Sequence, residues 1–102
     1  MLYKLTYGIN QKTYDEYLKF AEKNAIPYWM GVKGLTEFRA YRDAAKGMAV
    51  VEMEFKDFTS WGKAMDTKEC KDLMSKFSTY INECQWTLYD SSPVIPTPLK
   101  PK

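Results

Sequence analysis

The groups in this chain whose types and spacing could do chemistry are aromatic: eight tyrosines and three tryptophans stand against no histidine at all. Tyr14, Tyr17, Tyr28 and Trp29 fall at helical spacing, Trp61 belongs to a second helical stretch, and Tyr3 and Tyr7 share one face of an alternating segment. Aromatic walls with a few hydroxyl or indole tips suit a flat organic ligand, although the same side chains can equally pack as core. Tyr28 and Trp29 are favoured for a pocket because Pro27 and Gly31 bend the chain beside them and a bent helix end leaves a gap next to a sheet. The hydroxyls of Tyr3 and Tyr7 could face that gap. Arg39 offers forked donors that steady an anion, or it pairs with Glu52 or Glu37. Tyr3, Tyr7, Tyr28, Trp29, Trp61 and Arg39 are therefore the candidate ligand-binding residues.

The missing histidine removes the commonest general base and the commonest metal ligand. Glu37, Glu52 or Glu54 could serve as a base only if buried. Cys70 and Cys84 have apolar neighbours, no C-x-x-C spacing and no fixed positive group nearby, so they read as buried free thiols. Nitrogen- or sulfur-rich transition-metal sites cannot be assembled within one subunit, and no metal, haem or other cofactor is expected. No catalytic residue is assigned. Fifteen Lys and Arg against thirteen Asp and Glu are interspersed along the chain, which gives no footprint for nucleic acid. A membrane span needs about 18 consecutive apolar residues, and none occurs. The first residues alternate instead of forming an apolar signal core, so the cytoplasm is the expected location.

The elements that must position these residues follow in the order strand, helix, strand, strand, helix, strand. At 102 residues the chain has the size of one domain. Tyr3, Leu5, Tyr7 and Ile9 place a strand over Leu2 to Ile9. Thr13 with Glu16 predicts a capping box opening a helix that bends at Pro27 and ends at Gly31 and Gly34. Leu35 to Arg42 and Met48 to Phe55 form a hairpin, in register if Phe38 and Ala40 share a face with Val51, Met53 and Phe55. Arg39 then lies across from Glu52 on the other face. A short helix over Phe58–Met65 is expected to run, after a cap at Asp66 with Glu69, into a longer one over Lys68–Asn82. Gln85 to Tyr89 is the last strand, with Trp86 and Leu88 on one face. Residues 1–90 thus make one α+β domain, a ferredoxin-like β-α-β-β-α-β arrangement with a four-stranded antiparallel sheet and its helices on one face. Residues 91–102, which hold four of the five prolines in P-x-x-P spacing, make an extended tail, the form of an SH3 ligand or of an arm across a partner.

The run Ile26-Pro27-Tyr28-Trp29-Met30-Gly31-Val32-Lys33-Gly34-Leu35, followed by Phe38-Arg39-Ala40-Tyr41-Arg42, resembles the helix, Gly-Val-x-Gly turn and strand of the dimeric α+β barrel superfamily. Val50 to Phe58 with Trp61 resembles the third strand and following helix of its antibiotic-biosynthesis-monooxygenase, EthD-like and NIPSNAP-like groups. The resemblance covers about Leu2 to Asp90. It implies a homodimer whose sheets meet through their non-helical faces, with a ligand pocket in each subunit between sheet and helices. Haem-degrading members ligate iron through a histidine, which this chain lacks. Cofactor-free monooxygenases of the superfamily steady an aromatic substrate anion with asparagine, tryptophan or polar residues. Asn10, Asn24, Trp29 and Trp61 are available here, and no spacing assigns them. The function implied is a small-molecule-binding or cofactor-independent subunit, monooxygenase- or isomerase-like, for a flat aromatic or phenolic ligand. The alternative is a non-enzymatic interaction or stress-response barrel with a filled core.

Overall fold

The computed structural model describes residues 1–102. Strand β1, Leu2–Ile9, forms because Tyr3, Leu5 and Tyr7 alternate with Lys4 and Thr6, and those three are buried on one face of the sheet. Strands β2, Leu35–Arg42, and β3, Ala49–Phe55, make the expected hairpin, with Phe38 opposite Met53, Ala40 opposite Val51 and Arg39 opposite Glu52. Its turn is closed by Asp43, whose carboxylate accepts the backbone N–H groups of Ala45 and Lys46 at 2.9 and 3.1 Å. Those two donors hold the Asp43 carboxyl below the usual carboxylate range. With β4, Ile81–Tyr89, the strands stand in the order β2-β3-β1-β4, every neighbouring pair antiparallel.

The helices cover one face. Their common core with the sheet comprises Tyr3, Leu5, Tyr7, Trp29, Val51, Met53, Phe55, Ala64 and Cys70. The shortest dimension of the molecule, 20 Å, is that of two packed layers. No buried residue comes from the opposite sheet face, so the fold has a single core.

Several local expectations are corrected. No capping box forms at Thr13: its side chain makes no cap bond, and Asn10 instead accepts from Lys12 N at 3.1 Å to open a 3₁₀ turn over Gln11–Thr13. Helix α1, Tyr14–Phe20, then passes into a π-helical segment, Ala21–Ala25, before α2, Ile26–Met30. Pro27 is the physical reason. It has no N–H for the Lys23 carbonyl and its ring crowds that oxygen, and a widened turn in which Ile26 N–H donates to Ala21 O accommodates it without ending the helix.

Helix α3 spans Phe58–Met65 as expected, with Asp57 accepting from Ser60 N at 2.7 Å. Helix α4 spans Lys68–Ser78, four residues shorter than the apolar spacing suggested, because Ile81 and Asn82 join β4 against Ile9 and Gly8. Its cap is Thr67, which accepts from Cys70 N at 3.0 Å, and not Asp66. A bulge in β4 places Glu83 at φ 51. Cys84 is exposed, not buried, since β4 is an edge strand that the helices only partly cover. Residues 91–102 follow β4 without helix or strand.

Candidate functional site

Between the sheet and the helical layer lies an interior cavity of about 50 Å³ with a wholly apolar or aromatic lining. Leu5 and Tyr7 of β1 form its floor with Val51 and Met53, Tyr17 and Phe20 of α1 and Trp29 of α2 form one wall, and Phe77 of α4 lies opposite. Ala21 and Ala25, the two ends of the π segment, supply small side chains to the same wall. The widened turn forced by Pro27 therefore sits directly on the cavity.

One polar contact is built into this lining. The hydroxyls of Tyr7 and Tyr17 are hydrogen-bonded at 2.7 Å, and the Tyr7 ring meets Phe77 edge-on at a centroid distance of 4.8 Å. Burial pushes the Tyr7 phenol far up, and the hydrogen bond with Tyr17 pushes it further. Burial also raises Tyr17, with the bond from Tyr7 acting in the opposite sense. Both phenols are thus protonated at neutral pH. Since one hydroxyl donates to the other, one O–H stays free to donate to a third oxygen.

The candidate residues do not converge on one place. Tyr7 and Trp29 line the cavity. Tyr28 turns away from it into an open cleft by α3 and α4, where its hydroxyl lies 3.5 Å from Thr67 Oγ1. Tyr3 and Trp61 meet edge-on at 5.7 Å beside Trp86, an edge-strand side chain that is 61% exposed. The Trp61 indole N–H is buried without an acceptor. Arg39 lies on the opposite face of the sheet, held by Glu52 at 3.2 Å and Glu54 at 3.4 Å and also paired with Glu37. Partial burial pulls its pKa down, and the bonds and charge of these carboxylates more than offset that, so it stands raised. The ion-pair alternative for Arg39 is the arrangement present, and the guanidinium does not reach the cavity.

Tyr17, Phe20 and Phe77 are cavity residues that the candidate set left out. Phe20 sits at i+3 from Tyr17, a spacing visible in the sequence, whereas Tyr14 and Leu18 of the same helix are exposed.

No protein-family model matches the chain, and no curated protein matches it in sequence. Solved structures do match its architecture. SnoaB, a cofactor-independent oxygenase from Streptomyces nogalater, superposes in a single-residue variant with a TM-score of 0.76, covering 94% of this chain and 96% of its own at 10% identity. An antibiotic biosynthesis monooxygenase gives 0.73 at 16% identity, covering 91% of this chain and 100% of that one. The chain shares the ferredoxin-like α+β fold of these structures. A conserved protein from Methanosarcina mazei Go1 shares the fold at a TM-score of 0.71 and 13% identity, covering 87% and 91% of the two chains. At such identities the likeness concerns the fold, and a site must be argued from its own residues.

Proposed function

We propose that this chain is a small-molecule-binding subunit of the cofactor-independent type, monooxygenase- or isomerase-like, that takes a flat aromatic or phenolic ligand between its helices and sheet. The observation that carries this reading is the Tyr7–Tyr17 phenol pair, joined at 2.7 Å within an otherwise apolar lining. A ligand hydroxyl or carbonyl has one place there to be recognised, and an apolar body has the rest. Because both phenols keep their protons at neutral pH, the pair donates to negative charge developing on a ligand oxygen and does not act as a base. The fold shared with SnoaB, a cofactor-independent oxygenase, supports the same class.

The subunit works, on this reading, as a homodimer through the open sheet faces. Tyr41, 53% exposed, and Tyr89 stand on that face around Arg39 and its carboxylates, and Lys4 lies opposite Glu52. Aromatic side chains around a largely paired charge cluster are suited to burial by a second copy.

The cavity volume favours a second reading. About 50 Å³ is far below the roughly 300–1,000 Å³ of ligand sites, so a ligand enters only if α4 or the π segment moves outward. If neither moves, the cavity is part of a filled core and the chain is a non-enzymatic interaction or stress-response subunit. A thermal-shift screen of flat phenolic compounds separates the two. The first reading expects saturable stabilisation of the native chain by at least one compound, abolished in Ala25→Phe, whose ring occupies the cavity. The second expects no such compound.

A further inference from the structure

A separate cleft lies where the end of α2 meets the α3–α4 junction. It encloses about 450 Å³, inside the roughly 300–1,000 Å³ range of ligand sites, and it shares no lining residue with the interior cavity. Lys33, from the connection after α2, and Lys63 of α3 both line it, and neither takes part in any of the six ion pairs of the molecule. Glu69 is the single carboxylate in the lining, so two cations and one anion leave the cleft at +1.

The hydroxyls of the lining already have partners, which leaves the two ammonium groups as its unpaired side-chain donors. Thr67 Oγ1 is committed, since it accepts from Cys70 N at 3.0 Å and donates to Ala64 O at 3.3 Å. The Tyr28 hydroxyl lies 3.5 Å from Thr67 Oγ1 and also meets the Cys70 thiol, and the Ser60 hydroxyl bonds the Asp57 carboxylate. Gly34 explains how these groups come together. At φ +92, and with a Cβ that would collide with the Ser60 side chain, it lets the connection press against the first turn of α3. Lys33 is thereby carried to the same cleft as Ser60.

We propose that this cleft binds a small organic anion: a carboxylate or phosphate monoester on a planar apolar body. The head group lies between the two unpaired ammonium groups of Lys33 and Lys63, and the body lies along the Tyr28 ring. The proposal is independent of the phenol-pair cavity and stands or falls apart from it.

The test is a ¹⁵N-resolved NMR titration of the full chain with benzoate and with phenyl phosphate, and with benzyl alcohol as the neutral counterpart. One or both anions are expected to shift the amides of Gly31, Lys33, Ser60 and Thr67 saturably, and the stronger binder identifies the head group. The Lys33→Gln/Lys63→Gln double variant, altered only at exposed positions, is expected to weaken binding by about tenfold or more. Added NaCl is expected to weaken it further. Absence of saturable shifts with both anions, equal shifts with benzyl alcohol, or unchanged affinity in the double variant would overturn the proposal. So would shifts centred on Tyr7 and Tyr17, which would place the probe in the interior cavity.

Discussion

At the scale of the residue, Tyr7 shows how position and chemistry combine. Its place on the inner face of β1 is legible from the alternation with Thr6 and Gly8. Its bond to Tyr17 is not legible, because a 2.7 Å contact between a strand and a helix depends on how the two layers dock. Tyr7→Phe leaves Tyr17 without its partner, and equilibrium unfolding in urea is expected to show a loss of about 1 kcal/mol. Tyr17→Phe is expected to cost a similar amount, with the double variant costing less than the sum of the two, since they remove one shared bond. Tyrosine burial also sets an alkaline limit. Burial pushes the Tyr3 phenol up to about 12, and Tyr7 and Tyr17 are raised as well. Raised folded-state values mean that the native state holds these protons longer than the unfolded chain. For Tyr3 that contribution is complete below about pH 10 and is lost as pH rises through about 12, and the raised Tyr7 and Tyr17 act in the same direction. Urea midpoints measured across that interval are expected to fall, and to fall less steeply in Tyr7→Phe.

At the scale of the element, helix ends and connections separate what the sequence displays from what it conceals. Asp66 and Thr67 both carry an oxygen that could cap α4, and only the phase in which the helix starts decides for Thr67. Thr67→Ala is accordingly expected to lower stability by about 1 kcal/mol in urea unfolding, and Asp66→Ala by much less. The helix bend was legible in Pro27, but its form as a π segment was not, since the same residue can kink, break or widen a helix. Ile81 was concealed for another reason. It continues the helical spacing of Phe77 and also pairs with Ile9, and sheet pairing prevails. Two glycines give an opposed pair of outcomes. Gly34→Ala meets both a left-handed φ and the Ser60 side chain, and a loss of about 1–3 kcal/mol is expected. Gly62, inside α3 with nothing within 4 Å of a built Cβ, is expected to gain about 0.5–1 kcal/mol on replacement by alanine. Thermal or urea unfolding of the two variants checks the contrast directly.

At the scale of the whole molecule, the order of periodic segments was sufficient for the architecture. The inner residues of β1 and β3 face the helices, and Arg39 faces Glu52 on the other side, as the alternation required. The site was less legible, because its six candidate residues share chemistry and not location. Two line the cavity, one lines the anion cleft, two join Trp86, and one lies on the open face. That open face contributes nothing to the core of the single chain, and Tyr41 and Tyr89 leave apolar surface exposed there, which the proposed homodimer would cover. Reversing the charge cluster with Arg39→Glu, which places four carboxylates together, is expected to weaken self-association in sedimentation more than it weakens folding. Native mass spectrometry of the chain with a panel of flat phenolic compounds tests the central reading most directly, since one spectrum reports both assembly and occupancy. The account expects a species at twice 11.9 kDa that retains a phenolic ligand and loses it in Ala25→Phe. A species at 11.9 kDa that retains no compound of the panel would contradict it.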